Sequence, residues 1–207
     1  MFSKIKFRHF TNDTGCTLNF LDEDNAKKLA KKGDYSQINL YYVSNIIAEA
    51  LQIPHPYIGT ATMYRESATR EIGHTYYSTD HPDQLDKDLV LLDVAIHPYL
   101  IFGTMCHELR HSWQRLYHPE EYAFLAVGET ESYLAPAEID ADGFAIAVLS
   151  LIYKEPVKDA AEVFCCNVKH NSQKGYSKRI SAANSIKRSL EVADFEDLII
   201  SVEKNAK

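Results

Sequence analysis

The stretch Phe102-Gly-Thr-Met-Cys-His-Glu-Leu-Arg-His-Ser-Trp-Gln114 is the most informative part of this 207-residue chain. Within it His107 and His111 stand four residues apart, with Glu108 directly after the first. On an α-helix, residues i and i+4 differ by about 40° around the axis, so both imidazoles leave from one side. Glu108 lies about 60° round from His111, near that side without being in line with the histidines. Phe102, Met105, Leu109, Trp113 and Leu116 gather on the opposite side. The spacing therefore predicts a helix over 99–117 with one face in the core and the histidines turned to a cleft.

Two neutral imidazoles on one face make half of a tetrahedral zinc site. A catalytic zinc site takes three protein ligands and keeps its fourth position open. A candidate for the third comes from Pro136-Ala-Glu-Ile-Asp-Ala-Asp-Gly-Phe-Ala145, which reads as a helix start with proline in the first turn. Glu138 and Asp142 are i and i+4 and share a face. Glu138 is the expected metal ligand, and Asp142 the expected acceptor for the far nitrogen of a ligand histidine. Asp140 points elsewhere. Further on, Phe144, Ile146, Val148, Leu149, Leu151 and Ile152 surround the axis, so this helix is expected to be buried along most of its length. Acidic residues at the start of a buried helix need a compensating partner, and zinc would be one. The plainer alternatives are a solvated helix face that spells the motif by chance and an acidic pair favoured by the helix dipole.

Taken together, His107-Glu108-x-x-His111 and, 27 residues on, Glu138-x-x-Ala141-Asp142-x-Phe144-Ala145 resemble the gluzincin class of zinc metallopeptidases. The wording of the second motif is most similar to compact ImmA/IrrE-type peptidases. The resemblance covers residues 89–153. It implies a zincin-like α+β fold, in which a small mixed or antiparallel sheet packs on the active-site helix. It also implies one zinc ion on His107, His111 and Glu138, with Glu108 as general base in hydrolysis of a peptide or protein substrate. Arg110 stands where such motifs usually carry an uncharged residue, often glycine. It flanks the site and could bind a substrate carboxylate or pair with an acid. No helix-turn-helix module and no CxxC…CxxC ribbon accompanies the motifs. Tyr133 and His97 are candidate donors to an anionic intermediate, and a strand at 89–96 is a candidate edge for an extended peptide. A rival of another class is a non-catalytic, metal-stabilised binding or regulatory protein on the same fold. Glu108 argues against it, because a structural site has no use for a carboxylate beside an open metal position.

Outward from the motifs, the chain shows no repeat or long linker, and 1–207 reads as one domain. Alternation over 4–10 predicts a strand, and 22–32 a short helix stopped by Gly33. Ile38, Tyr41, Tyr42, Ile46 and Ala50 predict a helix over 35–51, ended by Pro54 and Pro56. The segments 59–65, 71–78 and 89–96 read as strands separated by turn-prone residues. Helices are expected near 136–153, 157–168, 178–190 and 195–205, the last three forming a helical extension over about 155–207. Strands first and helices later is an α+β arrangement.

Composition bounds the function. Apolar residues at 45% and charged residues at 25% describe an ordinary globular protein. The run 143–153 is too short for a membrane span, which needs about 20 residues, and no secretion signal is read at the N-terminus. Four cysteines without a CxxC pair or an even framework favour a reducing compartment, so a cytoplasmic location is expected. Cys106 reads as a small buried residue, and Cys165 and Cys166 as core. A net charge of −7 argues against a nucleic-acid-binding protein. The exception is 167–190, with six Lys or Arg and no acid, read as a solvated helix face and more weakly as a docking patch for an acidic partner or nucleic acid.

Overall fold

Leu-Val-Leu-Leu-Asp at Leu89–Asp93 is a continuous apolar run ending in an acid, and all five residues are buried. That is the pattern of a strand covered on both faces, and it is one of the two inner strands of the sheet. The computed structural model describes residues 19–21, 36–61, 73–80, 82–83, 85–93, 98–121 and 134–195. Within them a four-stranded mixed sheet runs in the order β1 (Asn19–Leu21), β2 (Tyr57–Ala61), β4 (Leu89–Asp93), β3 (Gly73–Tyr76). β1 pairs antiparallel to β2, β2 parallel to β4 with Tyr57 opposite Leu89, and β3 antiparallel to β4 with Gly73 opposite Leu92.

Six helices complete the described fold: α1 (Ser36–Leu51), α2 (Pro98–Tyr117), α3 (Pro136–Ile152), α4 (Val157–Phe164), α5 (Cys166–Asn171) and α6 (Gln173–Lys187). A 3₁₀ turn, Val192–Phe195, follows. The fold is α+β and mostly helical. Among the described residues, no helix is long and apolar enough to cross a membrane.

The core sits between the sheet and α2. Ile101, Met105, Cys106 and Leu109 of α2 join Ile47, Ile58, Val90, Leu92, Phe144 and Val148 in one buried cluster. α3 is buried almost all round, from Ala141 to Ser150, as its sequence predicts. A second cluster, with Ile146, Leu149, Val157, Ala160, Tyr176 and Ala183, joins α3 to α4 and α6. The site-bearing helices are thus held on one side by the sheet and on the other by the C-terminal helices.

Several expectations are corrected. The strand at 89–96 is described as Leu89–Asp93 and lies inside the sheet, paired on both sides, so it cannot be an edge for a peptide. Among the described residues, the outer strand beside it is β3. Leu116 is 53% exposed rather than part of the apolar face, because the last turn of α2 outruns the core. The helix expected over 157–168 breaks at Cys165, whose φ of −107° and ψ of 31° are not helical. Cys165 is buried and Cys166 exposed, so only the first is core. α6 begins at Gln173, earlier than expected, because Ser172 caps it by accepting a hydrogen bond from the Gly175 N–H at 3.1 Å. β1 was not legible as a strand. The predicted strand 4–10, helix 22–32 and most of helix 195–205 lie outside the described residues.

Candidate metal centre

Residue spacing on two helices assembles the site. α2 places His107 and His111 side by side, with ring centroids 4.5 Å apart. α3, entered through Pro136, brings Glu138 over both: its carboxylate oxygens lie 3.5 Å from His107 Nε2 and 3.4 Å from His111 Nε2. One ligand atom from each residue lies within 4.8 Å of the other two, so the trio could hold a metal ion. For comparison, ligands about 2.0–2.2 Å from a tetrahedral zinc are about 3.3–3.6 Å from one another. The two Nε2 atoms are closer, at 2.9 Å, the separation of a hydrogen-bonded pair.

The far nitrogens settle which ring atoms are available. His107 Nδ1 lies 2.7 Å from Asp142 Oδ1, an acceptor that requires the proton on Nδ1. His111 Nδ1 lies 2.8 Å from Gln114 Oε1. That amide is oriented by its other end, because Gln114 Nε2 donates to Ala137 O at 2.9 Å and Asp140 Oδ2 at 2.8 Å. Its oxygen must therefore face His111, whose Nδ1–H donates. In their neutral forms both histidines then point Nε2 lone pairs at one spot, next to a carboxylate. Such an arrangement repels itself unless a proton or a metal cation lies between. The electrostatics agree. Burial is the largest influence on His107 and lowers its pKa, but Asp142, Glu138 and Glu108 together raise it to about 10. The pKa of Asp142 is lowered to about 2: burial, which raises it, is outweighed by His107 and Arg179. Glu138 is likewise lowered, with burial opposed by His111 and His107.

Glu108 is nearly buried beside this trio, and its Oε2 accepts a hydrogen bond from Thr75 Oγ1 of β3 at 2.8 Å. Gly73 lets that strand approach: a Cβ there would lie 2.3 Å from Thr104 Cγ2 and 3.3 Å from Glu108 Cγ and Oε1. Tyr77, just beyond β3, has a phenol pKa raised by burial first and then by the charge of Glu108. Glu138 adds to the rise, and the opposing Arg115 guanidinium lies 4.2 Å from the ring centroid.

His107, Glu108, His111, Glu138 and Asp142 therefore converge as the sequence spacing suggested. Asp140 is not one of the trio and binds Arg110 and Gln114 instead. Arg110 takes the plainer of its two readings: Nε and Nη2 bind Asp140 at 2.8 and 3.1 Å while its guanidinium lies 3.5 Å over the Trp113 ring. Cys106 is fully buried as read. Tyr133 and His97 lie outside the described residues. Gln114 was missed, although it is i+3 from His111, a spacing at which helical side chains meet. Thr75 and Arg179 were also missed, and no local signal marks them: their partners are 33 and 37 residues away. No family model, no curated protein and no solved structure matches this chain.

Proposed function

We propose that this chain is a zinc-dependent peptidase of zincin type, with His107, His111 and Glu138 holding one zinc ion and Glu108 acting as general base. The observation that carries this reading is the convergence of two Nε2 atoms and the Glu138 carboxylate, with both Nδ1 positions already occupied by acceptors. Two imidazole nitrogens and one carboxylate suit zinc better than calcium or magnesium, which favour all-oxygen sites. When bound, zinc would polarise a carbonyl and make water acidic near neutral pH.

The remaining chemistry belongs to the chain. Glu108, fixed at Oε2 by Thr75, takes a proton from the attacking water and returns it to the leaving amine. Tyr77 is a phenol within the electrostatic reach of both Glu108 and Glu138 and is held protonated, which suits a donor to the developing oxyanion. The outer strand β3 carries Thr75 alongside Glu108, so an extended peptide pairing with β3 would run past the general base. A cytoplasmic location is part of the same proposal and rests on the cysteine pattern.

The test begins with metal content, measured by plasma emission on untagged protein beside a His107→Ala, His111→Ala double variant. About one zinc per chain, lost in the variant, supports the centre. Peptide cleavage by the wild type and none by Glu108→Gln supports the activity. A chain that binds no zinc after the metal is added back would overturn both.

A further inference from the structure

The C-terminal helices have no part in the chemistry so far, yet α6 sends one cation into the site's support. Arg179 is 2% exposed, whereas Lys174, Lys178 and Arg188 of the same basic stretch are exposed. Its Nε donates to Asp142 Oδ2 at 2.5 Å, and Nη1 to Gly175 O at 3.3 Å. The other oxygen of that carboxylate, Oδ1, is the acceptor of His107 Nδ1. One buried carboxylate therefore has a guanidinium on one oxygen and an imidazole on the other.

Packing makes the pairing possible. A Cβ on Gly143, adjacent to Asp142, would lie 2.7 Å from Ala182 Cβ and 3.3 Å from Ala183 N. The backbones of α3 and α6 thus touch there, and Arg179 lies one turn before Ala182–Ala183, opposite Asp142. A carboxylate with a single partner can rotate about its Cβ–Cγ bond. With His107 on one oxygen and Arg179 on the other, and only the weak Cys165 thiol donor besides, its plane is set, and so is the direction in which it meets the imidazole.

We propose that Arg179 is a positioning residue for the metal: it locks Asp142, which in turn aims His107 Nε2 at the centre. This inference rests on the reading of His107, His111 and Glu138 as a zinc site. The basic stretch then has one member working on the site, turned inward, while Lys174, Lys178 and Arg188 face solvent.

The test is zinc affinity by competition with a chromogenic chelator, on the full chain, for wild type, Arg179→Met, Asp142→Asn and the double variant, with Tm measured alongside. Losing such an outer partner weakens metal binding by about 10-fold or more, and that is the loss expected for Arg179→Met. Because the effect passes through Asp142, the double variant should bind no more weakly than Asp142→Asn alone. A residue that only braces α6 on α3 would lower Tm and leave zinc affinity within twofold of wild type, which would overturn the proposal. So would losses that multiply in the double variant. If Arg179→Met does not fold, Arg179→Lys decides: it keeps the charge and loses the planar fork. Weaker zinc binding then upholds the proposal and wild-type affinity overturns it. A wild-type chain that binds no zinc would overturn the metal reading and this inference together, whereas wild-type binding with an unaffected Arg179→Met overturns this inference alone.

Discussion

Replacing Gln114 separates the orientation of His111, a proposed metal ligand, from the stability of the fold, because its amide does two jobs at once. Oε1 receives the His111 Nδ1–H, and Nε2 ties α2 to the first turns of α3 through Ala137 O and Asp140 Oδ2. In Gln114→Met, a side chain of similar length fills the space and all three hydrogen bonds are lost. Asp140 keeps Arg110, so two groups, His111 Nδ1–H and Ala137 O, are orphaned. At about 1–3 kcal/mol each, with some re-pairing, folding should weaken by about 2–4 kcal/mol. Without its acceptor the His111 ring is free to turn, and zinc affinity should fall about 10–100-fold. Gln114→Glu differs in a useful way. Its carboxylate still accepts from His111 but turns oxygens toward Ala137 O and, at the 2.8 Å position, toward Asp140. It should lower Tm further than Gln114→Met yet keep zinc affinity within about threefold of wild type. Chelator competition and thermal unfolding followed by circular dichroism read the two quantities separately. If Gln114→Met bound zinc like wild type, or if Gln114→Glu bound it as weakly as Gln114→Met, the orienting role would be refuted.

Other perturbations address other parts of the site. Glu108→Gln should keep zinc affinity within about twofold and lower peptide turnover by about 10²–10⁴, the range of a general base, and surviving activity in a cleavage assay would exclude that role. Gly73→Ala places a methyl 2.3 Å from Thr104 Cγ2 and against Glu108; overpacking of this kind costs about 1–3 kcal/mol, visible as a lower urea midpoint. Proton competition supplies a third check. With its pKa raised to about 10, His107 carries a proton below that pH, so zinc must displace it. Zinc affinity should therefore rise with pH through the neutral range, with release of about one proton per chain in calorimetry across two buffers; no release would contradict the assigned ring states.

The parts of this molecule legible in its sequence are those written at helical spacing. His107 and His111 at i and i+4, Glu138 and Asp142 at i and i+4, and the apolar positions Met105 and Leu109 fix two faces of two helices before any packing is known. The centre needs little more than those faces brought together. Strand order was not legible, because periodicity identifies Leu89–Asp93 as buried without saying which strands flank it. For the same reason the edge passed from β4 to β3. Thr75 and Arg179 are ordinary residues until the fold sets them against Glu108 and Asp142. A run of basic residues also gives no sign of which member turns inward. Arg179 does so because α6 passes close to α3 at Gly143, a consequence of shape that the charge pattern does not encode.

The first two turns of α3 also explain why three acids can open a buried helix. Glu138, Asp140 and Asp142 lie within five residues, and mutual repulsion next to an apolar core would ordinarily oppose folding. Each has its own partner. Asp140 has the Arg110 fork and the Gln114 amide. Asp142 has Arg179 and His107. Glu138 differs, for its ion-pair partners are the Nε2 atoms of two histidines, which carry charge only if protonated. Two of the three carboxylates are thus matched by permanent guanidinium charges, and the third is matched by a place where a cation would sit. A helix-dipole effect accounts for an acid in the first turn, and the Glu138 side chain is 38% exposed, so it could have faced solvent. It does not account for that acid closing over two imidazoles whose other nitrogens are both tied back. That asymmetry marks a place for a cation, filled by a proton on His107 when no metal is bound, rather than a solvated acidic cap, and it does so without appeal to the motif.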